Sequence, residues 1–131
     1  MVVVDASAIV DLLLARHAAA KLADRIFRQG ELIAAPHLVD PEVAHTLRRL
    51  LRIGEVDIAQ ANAALDLFSY IDLKRHPHDA LLRRMWALRD NLTAYDATYV
   101  ALAEALKVPL ITRDFRLARS SGHHARIEFI E

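Results

Sequence analysis

The stretch VVVDASAIVDLLL (residues 2–14) decides the fold class of this chain. Its three consecutive valines, residues 2–4, are β-branched and predict a short buried strand. Residues 6–16, which are rich in Ala and Leu, predict a helix directly after that strand. This helix is apolar nearly all round, so we expect it to be buried or to lie in an interface.

The same alternation of short apolar strands and helices continues outward to the C-terminus. Further strands are predicted at residues 32–35, 71–74, 109–112 and 126–130, and further helices at residues 17–29, 40–53, 56–70, 79–89, 93–107 and 114–119. This order predicts one α/β domain over residues 1–131, a three-layer α/β/α sandwich with a mostly parallel central sheet. Ligands of such sheets bind beyond the carboxyl ends of the strands, near the point where strand order reverses.

Two of the helix starts carry clear signals. Residues 40–42 (Asp-Pro-Glu) predict an N-cap at Asp40, a proline at the first helical position and an acid in the first turn. Thr93 and Asp96 have the spacing of a capping box. Gly54 is placed to end the helix that begins at residue 40.

Composition excludes several classes of protein. The chain has 131 residues, of which 54% are hydrophobic and 26% charged, so it suits one globular domain and not a disordered segment. Basic and acidic residues number 17 each, so any nucleic-acid contact must come from a local basic patch. The sequence has no cysteine, no signal-peptide pattern and no long apolar run, so we expect a soluble cytoplasmic protein without a membrane span.

Four acids from distant parts of the chain are predicted to meet at one edge of the sheet. Asp5 and Asp114 follow predicted strands, and Glu42 and Asp96 lie in the first turns of helices that begin on the same side. The alternative for each acid is a structural role, capping a helix or complementing its dipole. Close carboxylates repel each other, and Mg²⁺ or Mn²⁺ would relieve the repulsion because both prefer oxygen ligands.

Four segments carry a resemblance to a known family. They are VVDASAIV (residues 3–10), HLVDPEVAHTLRRL (residues 37–50), LTAYDATYVALAE (residues 92–104) and PLITRDFRLA (residues 109–118). Together they resemble the PIN-domain ribonucleases and, within them, the VapC-type toxins of type II toxin–antitoxin pairs. The resemblance spans nearly the whole chain.

The resemblance implies a metal-dependent endoribonuclease that hydrolyses RNA phosphodiester bonds and leaves a 5′-phosphate and a 3′-hydroxyl. The acidic quartet of the family falls on Asp5, Glu42, Asp96 and Asp114. The implied ligands of Mg²⁺ or Mn²⁺ are Asp5, Asp96 and Asp114, and the supporting hydroxyls are Ser7 and Thr112. The resemblance further implies a cognate antitoxin that covers the active site, and a homodimer.

Cations must flank an acidic cluster before it can hold a phosphate backbone. The predicted substrate contacts are Arg49, Arg113 and Arg116, because the first lies two helical turns after an acid of the quartet and the others flank the last acid. Arg48 and Arg52 lie on the same predicted helix as Arg49. The alternative for each is a solvated surface position with helix salt bridges. The same arginines could also dock the antitoxin.

The histidines and aromatic residues give weaker signals. The pairs at residues 76/78 and 123/124 lack the spacing of zinc ligands, so we expect no zinc site. We expect His45 to be buried or to support the acids. Trp86 and Tyr99 are expected in the core, although these rings and that of Tyr95 could also stack on bases.

Two other functions remain as alternatives. A non-catalytic PIN-like module would bind RNA or protein, and the complete quartet argues against it. A receiver-like or phosphatase-like domain would use Asp5 as a nucleophile and would need a second Asp close to it and a Lys at a late strand end. The sequence has Ser7 and Thr112 at those places.

Overall fold

The computed structural model describes residues 1–28 and 30–131. In chain order the elements are β1 (Val2–Val4), α1 (Ala6–Leu13), α2 (Ala19–Phe27), β2 (Ile33–Pro36), α3 (Val39–Arg52), α4 (Ile58–Tyr70), β3 (Leu73–His76), a 3₁₀ turn (Asp79–Leu81), α5 (Leu82–Ala87), α6 (Ala94–Leu106), β4 (Leu110–Thr112), α7 (Phe115–Ala118) and β5 (Ile127–Phe129). The predicted end of the second helix, Gln29, lies outside the described residues. Over the part of the chain described, no helix is long and apolar enough to cross a membrane.

The five strands of the described residues form one sheet in the order β3-β2-β1-β4-β5, and every pair is parallel. Right-handed crossovers place α1 to α4 on one face of this sheet and α5 to α7 on the other. The packing of α1 against α2, α3 and α4, and of α5 against α6, agrees with that placement. The predicted three-layer sandwich is confirmed, and strand order reverses between β1 and β4.

The central strand β1 is buried on both faces. Val2–Val4 are at most 1% exposed, which explains why the strand is a run of valines and not an alternating pattern. In register, Val3 lies opposite Leu110 of β4. Beyond the strand, the amide of Asp5 donates to the Ile111 carbonyl at 3.2 Å, so the ends of β1 and β4 stay together. The helix α1 that follows is buried over most of its length, as expected.

The start of α3 differs from the prediction. The helix begins with Leu38 as N-cap, and Asp40 lies in its first turn. The predicted cap is wrong because the Asp40 carboxylate instead accepts two hydrogen bonds of 2.7 Å from Arg75 of β3. Gly54 follows α3 with φ of +78°, a left-handed conformation that favours glycine and ends the helix as predicted.

The aromatic residues expected in the core divide into two cases. Tyr99 is 2% exposed, as predicted. Trp86 is 67% exposed, so the expectation for this residue is wrong. The helix α5 that carries it is only six residues long, and the Arg89 guanidinium covers the indole at 4.8 Å from the ring centroid.

Candidate active site

Asp5 is the most deeply buried acid of the predicted quartet and caps α1. Its Oδ1 accepts hydrogen bonds from the Ser7 hydroxyl at 2.6 Å and from the Ala8 amide at 3.0 Å. Its Oδ2 accepts a hydrogen bond from the Thr112 hydroxyl. Burial raises the pKa of Asp5 to about 6, although these hydrogen bonds act to lower it.

The two hydroxyls that bind Asp5 are themselves held by backbone amides. The Arg113 amide donates to Ser7 Oγ at 3.1 Å, and the Asp114 amide donates to Thr112 Oγ1 at 2.9 Å. Because each hydroxyl oxygen already accepts an N–H, its own hydrogen is directed to the Asp5 carboxylate. The segment after β4 therefore orients the acid that follows β1.

The structure brings the other three acids to the same edge of the sheet. Burial is the main cause that raises the pKa of Asp96, and the charge of Asp114 raises it further. Burial and then the charge of Asp96 raise the pKa of Glu42, despite an opposing effect of His45. The charge of Asp96 also raises the pKa of Asp5. Asp96 is therefore the acid that interacts with all three others, and we call the four the acidic cluster.

Helix capping coexists with this convergence. Asp5 caps α1, and Asp114 caps α7 by accepting from the Arg116 amide at 2.9 Å. At α6 the cap is the Thr93 hydroxyl, which accepts from the Asp96 amide at 3.1 Å. The structural alternative therefore fits all four acids, since Glu42 and Asp96 lie in the first turns of α3 and α6, but a cap occupies only part of a carboxylate's four lone-pair positions.

Tyr99 is a site residue that the sequence predicts in the core, with base stacking as the alternative. Its buried hydroxyl faces the Glu42 carboxylate but makes no hydrogen bond of ordinary geometry to any described residue. Burial and the neighbouring Glu42 raise the pKa of Tyr99, so the hydroxyl stays protonated and able to donate. Its position one helical turn after Asp96 was the available signal in the sequence.

The donor set of this edge suits a hard divalent cation. Among the described residues, no three His, Cys, Asp or Glu side chains are arranged so that they could hold a metal ion by themselves. Mg²⁺ keeps several of its waters, however, and is usually bound through only one or two carboxylates. Carboxylates that raise one another's pKa are typical of a site that lacks positive charge. The residues therefore fit Mg²⁺ or Mn²⁺.

A groove of about 320 Å³ adjoins the acidic cluster at Ser7. We call it the polar groove; it is lined by Ser7, Val10, Asp11, Arg16, Thr46, Arg49, Leu50, Glu55 and Arg113. Arg113 is bound by Asp11 at 2.8 Å and also donates to the Ile130 carbonyl, so this predicted substrate contact is already engaged within the protein. Arg49 is exposed and forms no ion pair with any residue that the structure describes.

Arg116 and His45 lie at the rim of the acidic cluster. The Arg116 side chain is 94% exposed, its Nε lies 4.0 Å from Asp114 Oδ1, and its charge lowers the pKa of Asp96. His45 is exposed, so it is not buried, but its effect on the pKa of Glu42 agrees with the other expectation, that it supports the acids. It lines a second depression, which we call the apolar pocket and which is formed by Leu38, Pro41, Glu42, His45 and Tyr95.

Comparison with known proteins decides the family. The PIN domain family model matches residues 2–122. The chain belongs to the PIN domain family. Ribonuclease VapC1 of Mycobacterium tuberculosis is 45% identical over 129 residues, which cover 98% of this chain and 96% of that protein. Ribonuclease VapC12 of the same species is 39% identical over 130 residues, 99% of each chain. These relatives place this PIN domain among the VapC ribonucleases, as the resemblance predicted.

Solved structures agree with the fold of the PIN domain. The PAE2754 protein of Pyrobaculum aerophilum has a TM-score of 0.71 at 26% identity, covering 96% of this chain and 89% of its own. A toxin–antitoxin complex from Klebsiella pneumoniae has a TM-score of 0.68 at 16% identity, covering 100% of this chain and 98% of its own. The second likeness supports the fold alone.

Proposed function

We propose that this PIN domain is a metal-dependent endoribonuclease and the toxin of a toxin–antitoxin pair. The observation that carries the proposal is the acidic cluster, in which Asp96 interacts with each of the other three carboxylates. Crowding like charges lowers the stability of the folded protein, so a module that only binds RNA or protein would gain nothing from it. Metal-assisted hydrolysis explains the crowding, because it needs carboxylates that bind a divalent cation.

The residues of the chain would hold and orient the reacting groups. A cation held by Asp5, Asp96 and Asp114, through one or two carboxylates directly and otherwise through its waters, would supply the charge that lowers the pKa of a water and stabilises the leaving oxygen of the phosphodiester. Ser7 and Thr112 would keep the Asp5 carboxylate in one orientation. Glu42, held beside the Tyr99 hydroxyl, would orient the attacking water or accept its proton.

Removal of metal is the direct test of this function. We expect the purified protein to cleave single-stranded RNA with Mg²⁺ or Mn²⁺, and EDTA to slow the cleavage by about 10³-fold, equivalent to roughly 4 kcal/mol of transition-state stabilisation. Sequencing of RNA ends should show 5′-phosphates and 3′-hydroxyls. Cleavage that persists in EDTA, or that leaves 2′,3′-cyclic phosphates, would contradict the proposal.

Arg49 should contact the phosphate backbone from the polar groove. We expect Arg49→Ala to raise the KM for RNA by about three- to tenfold and to reduce the slope of log KM against log salt concentration by about 0.7, the contribution of one single-strand phosphate contact. Arg48 is the matched control because it is exposed on the same helix but does not line the groove. Equal effects of the two alanine substitutions would refute a specific role of the groove.

The polar groove and the rim of the acidic cluster also offer a surface for a protein partner. We propose that an antitoxin segment lies across the polar groove and competes with RNA for Arg49 and Arg116. We further propose that the protein acts in the cytoplasm and forms a homodimer. The family resemblance and the apolar first helix support the dimer, and a chain without cysteine fits a reducing compartment. Light scattering of the purified protein would measure the dimer directly.

A further inference from the structure

The apolar pocket has no part in the chemistry described above. Its volume is about 480 Å³, within the range of roughly 300–1,000 Å³ common for small-molecule sites. Leu38, Pro41 and the ring of Tyr95 supply apolar walls, and Glu42 and His45 supply its polar atoms. Since no Arg or Lys is among these lining residues of the described chain, the pocket suits a flat apolar ring better than a phosphate.

The apolar pocket is continuous with the acidic cluster. Glu42 belongs to both, and Tyr95 immediately precedes Asp96 at the start of α6. On α3, Glu42 lines the apolar pocket together with Pro41 and His45, while Arg49, two turns after Glu42, lines the polar groove. An RNA chain whose phosphate sits at the acidic cluster therefore brings an attached nucleoside to the mouth of this pocket.

The Tyr95 ring is available for stacking. It is 62% exposed, and within the described residues no aromatic ring or guanidinium covers it. Two other exposed rings are covered by arginines, Trp86 by Arg89 and Phe115 by Arg119. An uncovered aromatic ring beside a phosphate-binding site is typical of proteins that stack an unpaired base.

We propose that the apolar pocket binds the nucleobase of the nucleotide next to the scissile phosphate, stacked on Tyr95, with a ring nitrogen of His45 hydrogen-bonded to its edge. This inference rests on the proposed function. A base held in this way cannot remain stacked and paired in a duplex, so the RNA must be single-stranded at that nucleotide. The pocket would then contribute the base preference of cleavage, while the arginines contribute backbone affinity without sequence preference.

The test compares RNA oligonucleotides that carry either a base or an abasic site at the nucleotide next to the cleaved bond, on its 5′ or 3′ side. For the wild type we expect kcat/KM to be about tenfold higher with the base on one of the two sides, as expected for the loss of one stacking contact. Tyr95→Ala should reduce this ratio to about one, and Tyr95→Phe should preserve it. Tyr70→Ala is the matched control, because Tyr70 is 86% exposed and does not line the pocket.

A binding measurement separates this inference from the proposed function. Oligonucleotides with 2-aminopurine at the same nucleotide report stacking by loss of fluorescence, and Asp5→Asn prevents their cleavage by the proposed mechanism. If the wild type cleaves no RNA but Tyr95→Ala abolishes the fluorescence change, the proposed function fails and the base pocket stands. If the wild type cleaves RNA and Tyr95→Ala leaves the base-to-abasic ratio unchanged, the base pocket is wrong. Dissociation of a dimer by Tyr95→Ala with that ratio unchanged would instead identify an interface between two copies.

Discussion

Substitution of Asp96 by asparagine is expected to slow RNA cleavage by about 10³-fold while the protein stays folded. Asp96 is the acid that interacts with the three others, so its loss removes the charge at the centre of the acidic cluster. A factor of 10³ corresponds to about 4 kcal/mol, the scale of the charge stabilisation that a bound metal gives to a phosphodiester transition state. The fold should survive because the hydrogen bond from the Asp96 amide to the Thr93 hydroxyl, which caps α6, is unaffected by the substitution.

The measurement is single-turnover cleavage of a defined RNA at several Mg²⁺ concentrations, with a thermal melt of each variant. Asp66→Asn is the control, since this acid is exposed on α4, away from the acidic cluster. We expect Asp66→Asn to cleave at the wild-type rate, and Asp96→Asn to melt at or above the wild-type temperature in metal-free buffer. Full activity of Asp96→Asn would support the alternative of a module that binds without catalysis.

The sequence predicts the fold and the place of the site because both depend on strong local signals. A run of valines followed by an acid can be assigned to a buried strand and its end, and parallel strands bring such ends to one edge. Asp5 and Asp114 could therefore be placed together from positions 109 residues apart without any knowledge of contacts between them. Thr112 and Ser7 follow from the same topology, since they lie beside the strand ends.

Where the prediction was wrong, the position of the side chain is decided by contacts with segments far away in the sequence. Asp40 has the spacing of an N-cap, but its partner Arg75 lies on a strand 35 residues away. Trp86 has helical spacing in a segment that turns out to be a short surface helix. Whether His45 points inward or to the rim depends on the rotation of α3 about its axis against α1 and α4, which no local pattern specifies.

The arginines show why charge alone does not identify a substrate contact. Arg49, Arg113 and Arg116 are equivalent in the sequence argument, yet the structure gives them different surroundings. Arg113 is fixed by Asp11 and a backbone carbonyl, whereas Arg116 is almost fully exposed above the acidic cluster. A guanidinium already in an ion pair must give up that partner before it binds a phosphate, so Arg49 and Arg116 are the better candidates.

In metal-free buffer, ionisation of the buried Asp5 carboxyl should make the folded protein less stable as the pH rises. The pKa of Asp5 rises from 3.8 to about 6 on folding, chiefly because of burial. Below pH 3.8 the carboxyl is protonated in both states and has no effect. Between pH 3.8 and 6 the unfolded chain releases the proton while the folded protein keeps it, so the stability falls as the pH rises. Above pH 6 the carboxyl is ionised in both states, and the free energy of unfolding is about 3 kcal/mol lower than it is below pH 3.8.

The effect of Asp5→Asn on the free energy of unfolding should therefore change sign between low and high pH. Asparagine keeps an oxygen for Ser7 and the Ala8 amide but turns an NH₂ toward Thr112, a loss of about one hydrogen bond or 1 kcal/mol. At pH 4 the penalty for the buried charge has only begun to develop in the wild type, so we expect the variant to be about 0.5 kcal/mol less stable than the wild type. At pH 7.5 the removed charge outweighs the lost hydrogen bond, and we expect the variant to be about 2 kcal/mol more stable.

Urea denaturation at pH 4 and pH 7.5, with EDTA and then with Mg²⁺, measures these differences. Asp24→Asn is the control, because Asp24 is exposed and its ion pair with Arg28 is solvated, so its effect should have one sign at both pH values. Mg²⁺ should stabilise the wild type at pH 7.5 and have little effect on Asp5→Asn, since the cation would compensate the buried charge that the substitution removes. If Asp5→Asn were destabilising at both pH values, the Asp5 carboxylate would be a satisfied helix cap, and its burial would give no reason to expect a metal.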